Sequence, residues 1–266
     1  MENDKLVLFA NLDNLFIHNK RLLPDLSPDT EVEIAEEDEL GIKSFMTTET
    51  RNLLIKLCEN PKFEFIPVTS RPLEEYRRID LGIKPKYAVV GNGSNILIDG
   101  EPDEEYANYV KKSMNYMNLI DIQNFLCDSM ESVGSLAKIL DNAYLRFKIY
   151  DPELFDMECV QILGMFPNQF TIDRVKKTGF ITPIHFSKQV AVKWLINKIE
   201  PTKTIGAGTS VLDVPMLTLI DRVYIPSDAE IVRDGIVVNC RKLDAGTHAS
   251  YHLLKIANTF LAADFQ

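Results

Sequence analysis

Apolar residues fall into short dense runs, and these runs alternate along the chain with longer stretches of mixed polarity. The runs LVLFA, FEFIP and TIGA begin at Leu6, Phe63 and Thr204, and they are typical of buried strands. The stretches TTETRNLLIKLCEN and KQVAVKWLINKIE space their apolar residues as amphipathic helices do. Strands that alternate with helices predict a parallel α/β sheet, with a functional site at the carboxyl ends of its strands.

Polar residues that can cap a helix precede both predicted helices. Thr47, Thr48 and Glu49 come at the start of the first helix, and Ser187 comes directly before the second. Side chains of these types can accept hydrogen bonds from the free N–H groups of a first helical turn. These positions therefore support the two helix predictions.

A segment of about ninety residues, from Val90 to Thr182, separates the two halves of the predicted sheet. Its first part, YAVVGNGSNILIDGE, predicts two short strands around Gly91-Asn92-Gly93 and a tight turn at Asp99-Gly100. Residues 104–130 then have helical spacing, and LRFKIY and NQFTIDRV predict further strands. An insertion with its own elements predicts a second domain, residues 90–182, between two parts of a core domain, residues 1–89 and 183–266.

Composition limits the class of protein. The chain has 266 residues, of which 45% are hydrophobic and 26% charged, as in a soluble globular protein of one large domain or two modest ones. No apolar run approaches the ~20 residues of a membrane span, and no signal-peptide pattern precedes the first strand. These features predict a cytoplasmic protein without a membrane partner. Four single cysteines lack metal or disulfide spacing and are predicted to be free thiols: Cys58, Cys127, Cys159 and Cys240.

The charge pattern argues against nucleic acid as a partner. The formal net charge is −10, and no cluster of basic residues is visible that could neutralise a phosphate backbone. Six acidic residues crowd the stretch EVEIAEEDE, from Glu31 to Glu39. We interpret that stretch as a solvated surface loop, or the rim of one, in preference to a metal or partner site.

Four short pieces contain the residues that could carry chemistry. In chain order they are Asn11-Leu12-Asp13, Thr69-Ser70-Arg71, Lys188 and GAGTSVLDVPML from Gly206 to Leu217. Together they resemble the motifs of the haloacid dehalogenase (HAD) superfamily, in particular the capped branch with sucrose-phosphate phosphatase-like and other sugar-phosphate phosphatases. The resemblance extends over essentially the whole chain and includes the turn at Gly91-Asn92-Gly93. It implies an α/β fold: a Rossmann-like core with a parallel sheet, and an inserted α+β cap domain.

The resemblance also implies a mechanism for phosphomonoester hydrolysis. In the family, an aspartate at the end of the first strand attacks phosphorus, and a second aspartate two residues later protonates the leaving oxygen. A Mg²⁺ ion lies against the first aspartate and the acids of the last motif, while a hydroxyl and a lysine hold the phosphoryl oxygens. The implied catalytic positions are Asn11, Asp13 and Lys188, the implied phosphate ligands are Thr69, Ser70, Arg71, Lys188 and the amides after Gly206, and the implied metal ligands are Asp13, Thr209 and Asp213.

Three positions depart from the family pattern. Asn11 stands where the nucleophile is expected, Leu15 where a threonine is usual, and Thr209 where the last motif has its first acid. An amide has no negative charge with which to attack, so the covalent route is blocked at its first step. The same changes weaken the Mg²⁺ site, because two expected carboxylates are neutral here and hard cations prefer carboxylate oxygens.

These departures predict a phosphatase-like protein that is impaired in hydrolysis, or lacks it, and that binds a phosphorylated metabolite. The alternative is an active Mg²⁺-dependent HAD-type phosphatase on a sugar phosphate-like substrate, in which Asp13 activates water directly. A third possibility is a structural role in which the cap contacts another protein. For Lys188 two interpretations stay open, a phosphate ligand or a structural ion pair with Asp213 or Asp13. For three basic residues late in the insertion, a solvated strand end is preferred to a substrate contact: Arg174, Lys176 and Lys177.

Overall fold

The computed structural model describes residues 4–114, 118–133, 137–165 and 168–264 of the chain. The strands in these residues are β1 (Leu6–Ala10), β2 (His18–Asn19), β3 (Val32–Asp38), β4 (Gly41–Thr47), β5 (Phe63–Pro67), β6 (Tyr87–Val90), β7 (Asn95–Ile98), β8 (Glu101–Pro102), β9 (Lys138–Leu140), β10 (Tyr144–Lys148), β11 (Phe170–Val175), β12 (Thr178–Pro183), β13 (Lys203–Ala207), β14 (Arg222–Pro226) and β15 (Arg241–Leu243). The α-helices are α1 (Thr48–Cys58), α2 (Leu73–Tyr76), α3 (Glu104–Ser113), α4 (Leu119–Ser129), α5 (Pro152–Met165), α6 (Lys188–Ile199), α7 (Val214–Leu217), α8 (Glu230–Arg233) and α9 (Ala249–Asp264). Short 3₁₀ helices span Lys20–Asp25, Gly91–Gly93, Val211–Asp213 and Gly246–His248.

A parallel sheet of five strands lies at the centre of the core, in the order β15-β14-β13-β1-β5. All five residues of β1 are buried, which explains why its sequence is apolar on both faces. In the register of the sheet, Ala10 of β1 lies beside Pro67 of β5 and Ala207 of β13. The residues that follow these three positions therefore meet at one edge of the sheet. The predicted α/β fold with a parallel core sheet is confirmed.

Helices cover both faces of this sheet. On one face α1 and α9 pack side chains such as Leu54 and Leu254 into the same cluster as Leu8 of β1. On the other face α6 packs Leu195 into the cluster of Phe9. Alternate residues of β1 thus point to opposite layers, as the period of a strand requires.

The two predicted helix caps are confirmed. Thr47 Oγ1 accepts a hydrogen bond from the N–H of Thr50 at 3.4 Å, at the start of α1. Ser187 Oγ accepts one from the N–H of Val190 at 3.3 Å, at the start of α6. The second cap matters for the site, because α6 begins with Lys188.

The inserted segment contains an antiparallel sheet, in the order β11-β12-β10-β9, that packs against α4 and α5 through residues such as Phe147 and Phe155. The helical stretch predicted over residues 104–130 is two helices, α3 and α4, and residues 115–117 between them lie outside the described part of the chain. β7 and α3 pack on the core instead, where Ile96 and Tyr106 join the cluster of Phe9. The domain boundaries at residues 90 and 182 stay a prediction.

The acid-rich stretch is not a solvated loop, so the interpretation from the sequence was wrong there. Its residues form β3, which pairs with β4 in an antiparallel hairpin. Glu36 is 4% exposed, and its carboxylate lies 2.5 Å from a nitrogen of Arg71 and 3.5 Å from one of Arg78. The burial is possible because two guanidinium groups compensate the carboxylate, and these partners come from a distant part of the sequence.

The four cysteines are free, as predicted, but they are half-buried and not fully buried. Burial raises the pKa of Cys58 and of Cys159 to about 12, and nearby carboxylates add to the effect, so both are neutral thiols at pH 7. Among the described residues, no helix combines the length and the apolar character needed to cross a membrane.

Candidate active site

The residues singled out in the sequence meet at the carboxyl edge of the central sheet. A cavity of about 560 Å³ opens there between the core and the inserted segment. Six of these residues line it: Asn11, Asp13, Ser70, Arg71, Lys188 and Thr209. Two others, Thr69 and Asp213, are fully buried beside them.

Asn11 takes its position from β1, because its backbone N–H continues the sheet ladder to the oxygen of Ala207 at 3.0 Å. Its side-chain Nδ2 donates to the backbone oxygen of Asp13 at 2.8 Å and to Thr209 Oγ1 at 2.9 Å. Its Oδ1 lies 3.5 Å from Lys188 Nζ. Both polar atoms of the amide thus have protein partners, which hold the group in one orientation.

Lys188 and Asp213 form a buried ion pair. Nζ lies 2.6 Å from Asp213 Oδ1, and the two side chains are 2% and 0% exposed. The other carboxylate oxygen accepts hydrogen bonds from the N–H groups of Thr209 and Ser210, at 2.8 and 3.0 Å. Those two amides were expected to face a ligand, and this expectation was wrong because the carboxylate occupies them. Of the two interpretations of Lys188, the ion pair with Asp213 is present, and a contact with phosphate stays a prediction.

Two glycines allow the backbone to pack closely around the Lys188–Asp213 pair. A Cβ at Gly208 would lie 2.5 Å from the Cβ of Asp213, and one at Gly93 would lie 2.2 Å from the backbone of Ser187. Gly93 also has a φ of 96°, which residues with side chains rarely adopt. The predicted Gly-Asn-Gly turn therefore packs directly against the start of α6 and helps to place Lys188.

Arg71 holds the carboxylate of Asp13. Its Nε lies 3.1 and 3.0 Å from the two carboxylate oxygens, and its Nη2 lies 2.7 Å from one of them. Its Nη1 donates to Glu36. Burial lowers the pKa of Arg71, but the hydrogen bonds and charges of Asp13 and Glu36 outweigh this effect and raise it overall. Glu36 was missed in the sequence because its partner lies 35 residues away, with no motif to connect them.

Backbone N–H groups without partners lie at the ends of β1 and β5. In the described part of the chain, those of Leu12, Asp13 and Ser70 donate no hydrogen bond. Thr69 Oγ1 accepts from the N–H of Arg71 at 3.1 Å, so this hydroxyl shapes the loop that carries Ser70. Asp13 and Ser70 line the cavity together with Lys188 and Arg71, and unpaired N–H groups beside cationic side chains suit an anion.

The donor set does not fit a Mg²⁺ ion. The resemblance implies that the ion would be held by oxygens of Asn11, Asp13, Thr209 and Asp213, but the NH₂ group of Asn11 is hydrogen-bonded to two of those oxygens. An N–H donor at this place repels a cation. Asp213 uses its oxygens on Lys188 and on backbone N–H groups. In the residues that the structure describes, no three His, Cys, Asp or Glu side chains cluster in a way that could hold a metal.

The inserted segment closes one side of the cavity through β10. The hydroxyl of Tyr144 donates to the backbone oxygen of Ser70 at 3.0 Å, which ties this strand to the loop after β5. Arg146, two residues further along, pairs with Glu75 of α2 at 2.6 Å. A cationic and an anionic side chain therefore lie together on this wall of the cavity.

The turn between β11 and β12 forms a second contact across the cavity. The N–H of Lys176 donates to the carboxylate of Glu230 in α8 at 3.0 Å, and both residues line the cavity. Arg174 instead pairs with Asp156 at 3.4 Å on an exposed surface. Lys176 therefore lies at the cavity, whereas Arg174 and Lys177 are not among the residues that line it.

His18 is a buried polar residue of the cavity wall that the sequence spacing did not connect with the site. It lies in β2, is 3% exposed, and its ring centroid is 5.7 Å from that of Phe45. Burial lowers its pKa to about 4, although a hydrogen bond to the backbone of Leu15 and the charges of Asp228 and Asp13 oppose this shift. The imidazole is therefore neutral at pH 7.

Acid is expected to destabilise the protein through His18. Its pKa is about 4 in the folded protein against an ordinary value of 6.5, so the unfolded chain takes up the proton first as the pH falls. We expect this residue to reduce the free energy of unfolding by about 3 kcal/mol in total as the pH falls from the unfolded through the folded pKa. Urea unfolding of the native protein and of His18→Phe at several pH values measures the effect. The variant should lose less stability over this range, and parallel curves for the two proteins would contradict the assignment.

By sequence, the chain matches no protein-family model and no curated protein. Solved structures are similar to it over almost its whole length. The sucrose-phosphatase of Synechocystis sp., solved with sucrose and phosphate, is 15% identical with a TM-score of 0.70, and the match covers 97% of this chain and 98% of that chain. The haloacid dehalogenase-like hydrolase yhjK of Bacillus subtilis is 14% identical with a TM-score of 0.56, covering 98% and 96%.

A third similar structure is a phosphatase of the HAD enzyme superfamily from Bacteroides thetaiotaomicron. It is 14% identical with a TM-score of 0.56, and the match covers 97% of this chain and 96% of that chain. At these identities the similarity concerns the fold. The resemblance inferred from the four short motifs is confirmed at that level, and both the core and the inserted segment are included in it.

Proposed function

We propose that this chain, which has the fold of the HAD-superfamily phosphatases, binds a phosphorylated metabolite in the cavity and is impaired in phosphomonoester hydrolysis or lacks it. The observation that carries the proposal is the Asn11 side chain. It lies at the end of β1, where a nucleophile is expected, and its NH₂ group is bound to Asp13 and Thr209. A neutral amide in this position cannot form a covalent phosphoryl intermediate.

The alternative route, in which Asp13 activates water without a covalent step, is opposed by the surroundings of Asp13. Arg71 binds both of its carboxylate oxygens. A general base must have a free lone pair within reach of the proton that it removes. The ion pair with Arg71 engages both oxygens of this carboxylate, which opposes its use as a base.

Binding of a phosphoryl group is supported by the groups that remain at the site. Lys188 supplies a cationic amine, and the N–H groups of Leu12, Asp13 and Ser70 lack protein partners in the described residues. Charged donors and unpaired amides are the groups that bind phosphate in proteins. The sucrose-phosphatase with the same fold was solved with sucrose and phosphate, which supports a small phosphorylated ligand of this kind.

The net charge and the cysteines of the chain support a small metabolite as the partner and the cytoplasm as the location. The net charge of −10 disfavours nucleic acid and anionic membrane surfaces, so a small metabolite is the proposed partner. The free cysteines fit a reducing compartment, which supports the proposed cytoplasmic location.

Isothermal titration with inorganic phosphate, and with tungstate as a second oxyanion, tests the proposal. We expect a saturable heat that EDTA does not change, because the donor set does not fit Mg²⁺. Replacement of the charged amine in Lys188→Met is expected to weaken binding about tenfold or more, since a hydrogen bond to a charged group contributes about 1.5–3 kcal/mol.

A matched control is available outside the cavity. Lys198 is also a lysine of α6 in an ion pair, with Asp103, but it does not line the cavity. Lys198→Met should bind phosphate as the native protein does. Each variant is titrated at a temperature at which circular dichroism shows it to be folded, and Arg71→Met serves as a second test of the anion site. Absence of heat from the native protein with both oxyanions would end the proposal.

A further inference from the structure

A second groove lies between the last strand of the central sheet, β15, and the last helix, α9. We call it the β15–α9 groove, and its volume is about 420 Å³. Its apolar lining consists of Tyr224 from β14 and of Ile256, Phe260 and Ala263 from α9. Among the described residues, none lines both this groove and the cavity of the candidate active site.

The β15–α9 groove is cationic, although the protein has a net charge of −10. Arg241 and Lys242 of β15 line the groove and are exposed, and within the described residues neither forms an ion pair. None of the described residues that line the groove is acidic. Asp244 follows β15, but it pairs with His252 at 3.2 Å. Two unpaired cations beside apolar side chains therefore favour an anionic partner with apolar groups.

The backbone beside this groove is an extended edge of the sheet. β15 is the end strand of the central sheet, and residues 236–240 lead into it. In this lead-in segment Ile236, Val238 and Cys240 pack against the core, whereas Val237 is 96% exposed. Side chains that alternate between the core and solvent are typical of an extended chain.

This edge has unused hydrogen-bonding groups. The N–H groups of residues 237–240 donate no hydrogen bond within the part of the chain that the structure describes. Unpaired N–H and C=O groups at a sheet edge are a template for another strand. Lysine on an edge also discourages pairing with unsuitable strands, so Lys242 and Arg241 select an acidic strand over a basic one.

We propose that the β15–α9 groove binds an extended acidic peptide segment of another protein, which adds a strand to the central sheet. The main chain of the segment pairs with the free edge, its alternate apolar side chains enter the groove, and its carboxylates pair with Arg241 and Lys242. This site is separate from the candidate active site, so the inference does not rest on the proposed function.

A fluorescein-labelled peptide, EVEIAEEDE, tests the proposal by fluorescence anisotropy on the full chain. It has the sequence of residues 31–39, most of which form β3 in the protein, and it combines acids with Val and Ile. Two matched peptides separate its features. QVQIAQQNQ has amides in place of all the acids, and EVEPAEEDE keeps the charge but has a central proline, which disfavours a strand.

We expect the native protein to bind EVEIAEEDE at least about tenfold more tightly than either matched peptide. Higher salt should weaken this binding, because the charges involved are exposed. Hydrogen exchange of the amides in residues 237–240 should slow when the peptide binds, since its carbonyl groups accept their hydrogen bonds.

Surface variants of the protein locate the binding site. Arg241→Glu and Lys242→Glu should each weaken binding about tenfold or more, because repulsion replaces a charge-assisted hydrogen bond. Arg222→Glu, at the exposed start of β14 outside the groove, should change it by less than about threefold. Thr259→Trp fills the groove from an exposed position of α9, and Asn258→Trp is its control outside the groove. Circular dichroism checks that each variant is folded, and the two glutamate variants are sufficient if Thr259→Trp is not.

Three outcomes would overturn the proposal. They are no binding of EVEIAEEDE to the native protein, equal binding of the three peptides, and binding that Arg241→Glu and Lys242→Glu leave unchanged. Sedimentation velocity without peptide tests a different occupant, because a dimer of the native chain that Arg241→Glu dissociates would assign the groove to a second copy. Titration of Arg241→Glu with phosphate should match that of the native protein, which keeps the result for the groove independent of the active-site proposal.

Discussion

The Asn11→Asp, Thr209→Asp double variant is expected to hydrolyse phosphate esters on the order of 10³-fold faster than the native protein, or more. The first change supplies a carboxylate at the end of β1, next to Lys188 Nζ, which lies 3.5 Å from the present Asn11 oxygen. The second change supplies the acid that the last motif lacks. Together with Asp213 these carboxylates offer the hard oxygen donors that Mg²⁺ prefers.

The measurement is hydrolysis of a phosphate-ester panel at millimolar Mg²⁺, with EDTA in a parallel series. Asn11→Asp alone should recover less, because Thr209 still lacks the charge needed for the metal. Adding Asp13→Ala to the double variant should abolish the recovered activity, which also excludes a contaminating phosphatase. Mg²⁺ should raise the unfolding temperature of the double variant, where it offsets repulsion among three carboxylates, and should leave that of the native protein unchanged.

Hydrolysis by the native chain would contradict this prediction. If it turns over the panel at a rate that EDTA and Asp13→Ala both abolish, Asn11 is not disabling. The mechanism must then run without an aspartyl-phosphate, and the Asp13–Arg71 ion pair must open during the reaction. A silent native chain together with an active double variant would instead show that the scaffold is intact and only the catalytic groups are missing.

The second large effect is expected on stability. Lys188→Met should reduce the free energy of unfolding by about 3–5 kcal/mol, because it leaves the carboxylate of Asp213 buried without its partner. Both side chains of the pair are almost completely buried, at 2% and 0% exposure, so loss of the amine leaves the carboxylate without this cationic partner. Two backbone N–H groups and the hydroxyl of Ser210 still contact Asp213, and they place the loss toward the lower end of that range.

Urea unfolding at pH 7 measures this loss, with Lys198→Met as the matched control. Lys198 pairs with Asp103 at 2.7 Å, close to the 2.6 Å of the buried pair, but its side chain is 36% exposed. Asp103 itself is 5% exposed, but water can replace the half-exposed amine, and the carboxylate keeps its hydrogen bond from the N–H of Tyr106, so the control should lose less than Lys188→Met. A second variant, Lys188→Met with Asp213→Asn, should recover part of the stability since no buried charge remains. Equal losses in the two single variants would show that burial of the Lys188 pair has no special weight.

Local features of the sequence were sufficient to predict the core of the fold. The apolar runs that form β1, β5 and β13 are continuous in the sequence, and the caps at Thr47 and Ser187 contact residues three positions away. The motif residues Asn11 and Thr209 were placed together correctly because each follows a strand of one parallel sheet. In such a sheet, strand order and direction bring the carboxyl ends to one edge whatever the side chains are.

The contacts that decide the chemistry of the site could not be predicted from local features of the sequence. Glu36 was assigned to a solvated loop, since its role depends on Arg71 and Arg78, which reach it only after the β3–β4 hairpin has packed on the core. His18 had no motif that connected it with the cavity, and its burial and low pKa come from the elements around it. The amides after Gly206 were expected to be free, whereas the Asp213 carboxylate binds them.

The sequence by itself determined the α/β fold, the meeting of the motif residues at one edge of the sheet, and the presence of an amide, Asn11, directly after its first strand. These follow from the period of apolar residues and from residue identity, which are local properties. Only the tertiary structure decided that the Asn11 amide binds the oxygens of Asp13 and Thr209, and that Arg71 occupies Asp13. The physical reason is that hydrogen bonds and ion pairs depend on distances of a few ångströms between residues far apart in the chain, as with the 198 positions between Asn11 and Thr209.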